Sequence, residues 1–225
     1  MSQTETPIKI DQLITEDDTP VDSLASEKQH RLLTEPLYSS WSGPGEGRPF
    51  LVAANVGVFH SIHLSAIVPD VFLSLDVRIA DDWWDKSHRS YFLWEFGKPP
   101  DVVIEIVSNR EGKEGSDKLR RYANMGVSYY VIFDPLKQIQ VDILTIYELY
   151  AGIYQVRTNT QLPTVHLGLM LWEGTFEHKQ ATWLRWCNEQ GMLIPTGKER
   201  AEEESQRAER LAARLRALGE DPNQI

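Results

Sequence analysis

The sequence predicts an α/β (α+β) fold with a helical extension at its C-terminus. Three stretches carry that prediction. Residues 99–135 read as strand, loop, helix, strand, beginning with a nearly continuous apolar run at Val102, Val103, Ile104, Ile106 and Val107, the signature of a strand covered on both faces. Residues 138–157 read as antiparallel strands turning at Gly152. Residues 198–218, KERAEEESQRAERLAARLRAL, are strongly helical, with Ala208, Leu211, Leu215 and Leu218 at three-four spacing.

The remaining elements follow in order. Residues 1–25 are rich in Thr, Asp, Ser and Gln and read as a flexible leader. Ser26 then opens a helix that Pro36 interrupts, with Thr34 able to cap a restart. Residues 42–47, SGPGEG, form a loop. Residues 50–59 suit a strand that Gly57 weakens. In residues 71–77, Val71, Leu73, Leu75 and Val77 alternate with Phe72, Ser74 and Asp76, a period of two. Residues 80–89 are an acidic excursion with Trp83 and Trp84, and residues 91–96 fit either a short strand or a helical turn. Ser116 suits the cap of a helix reaching Met125, with Gly126 just past its end. Residues 129–133 form the next strand. Residues 177–189 read as a helix. The core domain therefore spans 26–195, and 196–225 form a terminal helix that suits either packing on its own domain or self-association.

Composition limits the function classes. The 225 residues are 41% hydrophobic and 25% charged, ordinary for a globular protein of this length. No apolar run approaches the ~20 residues that cross a membrane, and no basic-then-apolar signal opens the chain. A single cysteine, Cys187, precludes an internal disulfide and points to a reducing cytoplasm. The net charge of -10 argues against a protein that coats nucleic acid by bulk electrostatics. It leaves room for a carboxylate site that becomes locally positive when it holds cations.

Glu105 is the residue that most needs explaining. It interrupts an apolar strand, and a buried carboxylate needs a cation, a positive side chain or a proton. Asp70 opens the preceding strand, and Lys118 lies on the helix that follows. Two carboxylates and an amine are the parts phosphodiester hydrolysis requires. Carboxylates hold Mg²⁺ or Mn²⁺, which prefer hard oxygen ligands. The cation acidifies a bound water, and the ammonium orients that water or stabilises charge in the transition state.

The run PDVVIEIVS, then K-x-x-x-Y-x-x-x-G-V, then YYVIFDP resembles the Uma-type restriction endonuclease family of the PD-(D/E)XK nuclease superfamily, over roughly residues 26–175. The resemblance implies a mixed central sheet flanked by helices, a DNA substrate and a site at matching positions. Pro69-Asp70 would supply one metal ligand, Glu105 a second and the carbonyl of Ile106 a third. The wider superfamily carries lysine two residues after the acid, where this chain has Val107. The family pattern then points to Lys118, with Lys113 as the alternative amine. Glu35 would match a helix-borne glutamate of related nucleases.

Each residue also has a plainer reading. Asp70, Asp101 and Asp134 beside prolines suit turns. Glu105 suits a structural ion pair with Lys118 or Arg121, Tyr122 a core position, and Cys187 a small buried residue on a helix. His60 and His63 lack the further ligands a zinc site needs. Trp83, Trp84 and Trp94 suit aromatic packing before base stacking. Two function classes stand beside the nuclease: a nuclease fold kept as a catalytically inactive binding module, and a hydrolase of another phosphate ester. A homodimer through the terminal helix would place two cleavage centres on one duplex.

Overall fold

The computed structural model describes residues 23–45, 47–108, 117–219 and 221. The expected leader, Lys113 and the Ser116 cap lie outside these residues or at their edge. Helix α1 spans Leu24–Ser40 and passes through Pro36 without restarting. Its cap is Ser23, whose Oγ accepts from the Ser26 N–H at 3.1 Å. A proline inside a helix removes one N–H and disturbs the preceding turn. Here the Trp186 indole donates to the neighbouring carbonyl of Leu33 at 2.8 Å, so a distant strand supplies a donor to that turn.

A six-stranded sheet in the order β1-β3-β5-β6-β7-β8 forms the centre, built from β1 Phe50–Ala54, β3 Val71–Leu75, β5 Val102–Ile106, β6 Tyr129–Phe133, β7 Leu144–Tyr150 and β8 Ile153–Val156. Strands β5 and β6 are parallel, joined across α3 (Asp117–Met125), and the other neighbours are antiparallel. The sheet is therefore mixed and flanked by helices. Alternation sorts β5 cleanly. Val102, Ile104 and Ile106 join the core beneath α1, whereas Val103 and Val107 join the core beneath α3 with Tyr122 and Met125. Both faces are covered, which explains the nearly continuous apolar run. Helix α3 ends at Gly126, whose φ of 87° suits glycine.

The expected strand 50–59 is two strands. Asn55, at φ 55°, ends β1, and β2 (Val58–Phe59) pairs in parallel with β4 (Tyr91–Phe92). Residues 91–96 are both strand and helical turn, because α2 (Leu93–Phe96) follows β4 directly.

The helix expected at 177–189 is absent. Strand β11 (Lys179–Asn188) instead pairs residue for residue with β10 (Leu167–Phe176), and β9 (Gln161–Leu162) completes a three-stranded sheet. Glu177 and His178 both take positive φ, 45° and 64°, and form the two-residue turn that closes a hairpin. Neither is a residue that announces such a turn. Cys187 is buried as expected, but on this strand. Gln29 ties the sheet to α1 by acting as a strand neighbour: its Nε2 donates to the Leu184 carbonyl at 2.7 Å, and its Oε1 accepts from the Leu184 N–H at 3.0 Å.

Helix α4 covers Gly197–Ala217 and begins in a capping box between Thr196 and Glu199. Its start is held firmly. Glu35 Oε1 accepts from the Gly197 N–H at 2.9 Å, and the buried Arg185 grips both oxygens of Glu199 at 2.8 and 2.6 Å. Beyond that the helix leaves the domain, with no buried residue. Its leucine seam is not packed on the core: Leu211 is 55% exposed and Leu218 68%.

Candidate active site

Sheet register brings the two predicted carboxylates together. Val71 stands opposite Ile104 in the β3–β5 ladder. Carried one step past the ladder's end, that register aligns Asp70 with Glu105, whose carboxyl feels the Asp70 charge, and directly opposed residues in an antiparallel pair project to the same face. Both therefore lie on the α3 side. Asp70 is fixed by the backbone of β5: its Oδ2 accepts from the Ile106 N–H at 2.6 Å. The N–H and carbonyl of a strand residue point to the same edge, so the Ile106 carbonyl also faces the Asp70 side.

Glu105 is 1% exposed, and α3 supplies both of its partners. Lys118 Nζ donates to Oε2 at 2.8 Å, and the Tyr122 hydroxyl donates to Oε1 at 2.7 Å. Lys118 and Tyr122 are one helical turn apart and so share a face. Burial pushes the Glu105 carboxyl up to about 7; the Lys118 ammonium opposes this and the negative charge of Asp70 adds to it. The Tyr122 phenol is raised well above its ordinary value by burial and by Glu105. Tyr122 is thus a core residue, as its sequence position suggested, and also a donor to the central acid.

Other candidates lie elsewhere. Glu35 is spent on α4. Asp101 accepts from the Leu75 N–H at 2.8 Å and from Lys98 Nζ at 2.5 Å. Asp134 accepts from the backbone of Gln138, Ile139 and Gln140, the turn role its proline suggested. Trp83 and Trp84 remain 53% and 73% exposed, at the rim of an apolar cavity of about 390 Å³ that reaches Phe72.

Sequence reasoning missed His30. From the inner face of α1 its Nε2 comes within 3.6 Å of Asp70 Oδ1. The signal was slight, a histidine at the spacing of the buried positions Leu33 and Leu37. Among the described residues, no three or more His, Cys, Asp and Glu side chains are already gathered as a metal cage. A cation would have to draw its ligands in and complete its shell with backbone oxygen and water.

The family model described as "Putative restriction endonuclease", Uma2, matches residues 15–175. The chain belongs to the Uma2 family. No curated protein and no solved structure matches it. The matched span contains α1, the whole central sheet, α3 and most of β10, and with them Asp70, Glu105 and Lys118. The Uma2 assignment agrees with the mixed sheet and points to a restriction-endonuclease-like nuclease acting on DNA. Helix α4 lies beyond the match. Among the described residues no helix is long and apolar enough to cross a membrane.

Proposed function

We propose that this Uma2 protein is a cytoplasmic, metal-dependent endonuclease that hydrolyses phosphodiester bonds in DNA. The reading is carried by one observation: a fully buried glutamate facing an aspartate across the sheet, with a lysine on its free side. Asp70, Glu105 and the carbonyl of Ile106 would hold Mg²⁺ or Mn²⁺. The donor set fits a hard cation, since it is two carboxylates and a backbone oxygen. When bound, the cation would acidify a water and offset charge on the phosphate.

The chain's own residues have separable roles. The Ile106 N–H keeps Asp70 oriented, and the Tyr122 hydroxyl keeps Glu105 in one rotamer. Lys118 is paired with Glu105 in the metal-free arrangement. With that carboxylate shared with a cation, the Lys118 ammonium would be available to orient the attacking water or stabilise charge on a phosphate oxygen. It replaces the lysine that related nucleases carry at the place of Val107. A homodimer through α4 would set two such centres on one duplex.

The test is to incubate the full-length protein with plasmid and Mg²⁺ or Mn²⁺, beside Glu105→Ala. Nicking by the wild type alone supports the reading. Equal nicking by both proteins identifies a contaminant. No nicking by either transfers weight to a second reading, a nuclease fold retained as a binding module. The net charge of -10 and Val107 at the usual lysine position favour that alternative.

A further inference from the structure

His30 is 6% exposed, and among the described residues its buried Nε2 has no hydrogen-bond partner. Asp70 Oδ1 lies 3.6 Å from it, too far for a well-formed hydrogen bond. Buried ring nitrogens are nearly always paired, so an orphan aimed at a carboxylate marks the place of a missing partner. On the other side of the ring, Nδ1 lies 3.3 Å from Asn55 Nδ2. Asn55 also donates its backbone N–H to the carbonyl of Asp70 at 3.2 Å. One residue at the end of β1 therefore touches both the histidine and the aspartate.

We propose that His30 is a metal ligand, its Nε2 joining Asp70 and Glu105 around the divalent cation, with Asn55 as the residue that orients it. The proposal rests on the nuclease reading above and extends it, since the three-oxygen set lacks any nitrogen. An imidazole binds first-row transition ions more readily than Mg²⁺, so the site takes Mn²⁺ in preference to Mg²⁺. Ligation needs the lone pair on Nε2 and the proton on Nδ1. Histidine ligands almost always donate that second N–H to an outer acceptor. The Asn55 amide provides one by turning over, which exchanges its nitrogen for its oxygen in the same space. Asn55 thus acts through His30 and is a positioning residue.

Pulsed electron paramagnetic resonance of Mn²⁺ bound to the full-length protein tests this, with a Mn²⁺ titration and a thermal melt of each variant. The expected wild-type spectrum carries nitrogen coupling from a directly bound imidazole. His30→Gln should abolish that coupling and weaken Mn²⁺ binding by about tenfold or more, with Mg²⁺ affected less. Asn55→Gly accepts the φ of 55° without strain and should weaken both the coupling and the affinity without unfolding the chain. Bound Mn²⁺ without nitrogen coupling, or with coupling unchanged in His30→Gln, overturns the role of His30 and leaves the nuclease reading standing. If the wild type binds no Mn²⁺, the metal-dependent nuclease reading itself falls. Should His30→Gln fail to fold, the wild-type spectrum and Asn55→Gly still decide the matter.

Discussion

Glu105 is costly to keep ionised, and its elevated carboxyl gives that cost a pH signature. The ordinary carboxyl value is 4.5, and burial raises this one to about 7. Between those values the native state holds a proton that the unfolded chain has lost. The stability contributed by the protonated acid is therefore complete below about pH 4.5 and disappears as the pH rises through 7. Glu105→Gln, a mimic of the protonated form, should leave metal-free stability nearly unchanged at pH 4.5. At pH 8 it should raise stability by about 2–3 kcal/mol. Denaturant melts with a chelator present, at both pH values, measure this, and a pH-independent difference would contradict it. The same variant should cleave no plasmid, a residue whose functional form weakens the fold. Lys118→Met should separate the two carboxylate roles from the amine. Cleavage is expected to drop about 10²–10³-fold, while calorimetric Mn²⁺ binding persists. Unchanged cleavage would make Lys113 the amine to test next.

At the level of elements, α1 and the start of α4 are held to the core by polar contacts as much as by apolar ones. Arg185 is 2% exposed, and Glu199 is its carboxylate partner. Removing one partner of a buried pair leaves an uncompensated charge, which costs about 3–5 kcal/mol when both are buried. Glu199 is partly exposed, so solvent tempers the loss. Glu199→Ala should lower stability by about 2 kcal/mol and lower the melting temperature at pH 7. Burial alone would raise the Glu199 carboxyl, but the Arg185 and Thr196 hydrogen bonds bring it below its usual value. The stabilisation therefore exists above the unfolded carboxyl value and is lost as pH falls, and the two proteins should converge in acid. A constant gap down to pH 3 would count against the ion pair. Helix α1 is also held by the buried Trp186–Leu33 hydrogen bond. Trp186→Phe keeps the ring and loses the N–H, and should cost about 1–2 kcal/mol in a denaturant melt.

For the whole molecule, the exposed stretch of α4 has a directional charge pattern. Past the docked Glu199 and Arg200, Glu202, Glu203 and Glu204 come first, and Arg207, Arg210, Arg214 and Arg216 follow with Glu209 as the one acid among them. An antiparallel pair of these helices would set each acidic half against a basic half, whereas a parallel pair would oppose like charges. A truncation at Thr196 would remove Glu199 and disturb the core, so it cannot report on assembly alone. Ending the chain after Ser205 keeps the docked turns. Light scattering should then fall from dimer to monomer with the melting temperature little changed. An unchanged mass would dismiss α4 as the dimer contact.

Local pattern alone determined the strand–helix–strand unit, because both faces of β5 and β6 are buried and demand apolar residues throughout. It determined Glu105 as an anomaly, α3 with its terminal glycine, the β7–β8 hairpin at Gly152, and α4 as a helix. Tertiary structure decided what no short window contains. The β10–β11 hairpin turns on Glu177 and His178, whose positive φ values are imposed by ten paired residues rather than by their own preference. Pro36 stays within α1, in a helix docked by contacts from a strand far along the chain, such as the Trp186 indole on the Leu33 carbonyl. Glu35 was drawn to α4, and His30, unremarkable in the chain, was carried to Asp70 by the packing of α1 against β1 and β3. Propensity acts over a few residues, while a site is assembled from side chains whose nearness depends on register and helix docking.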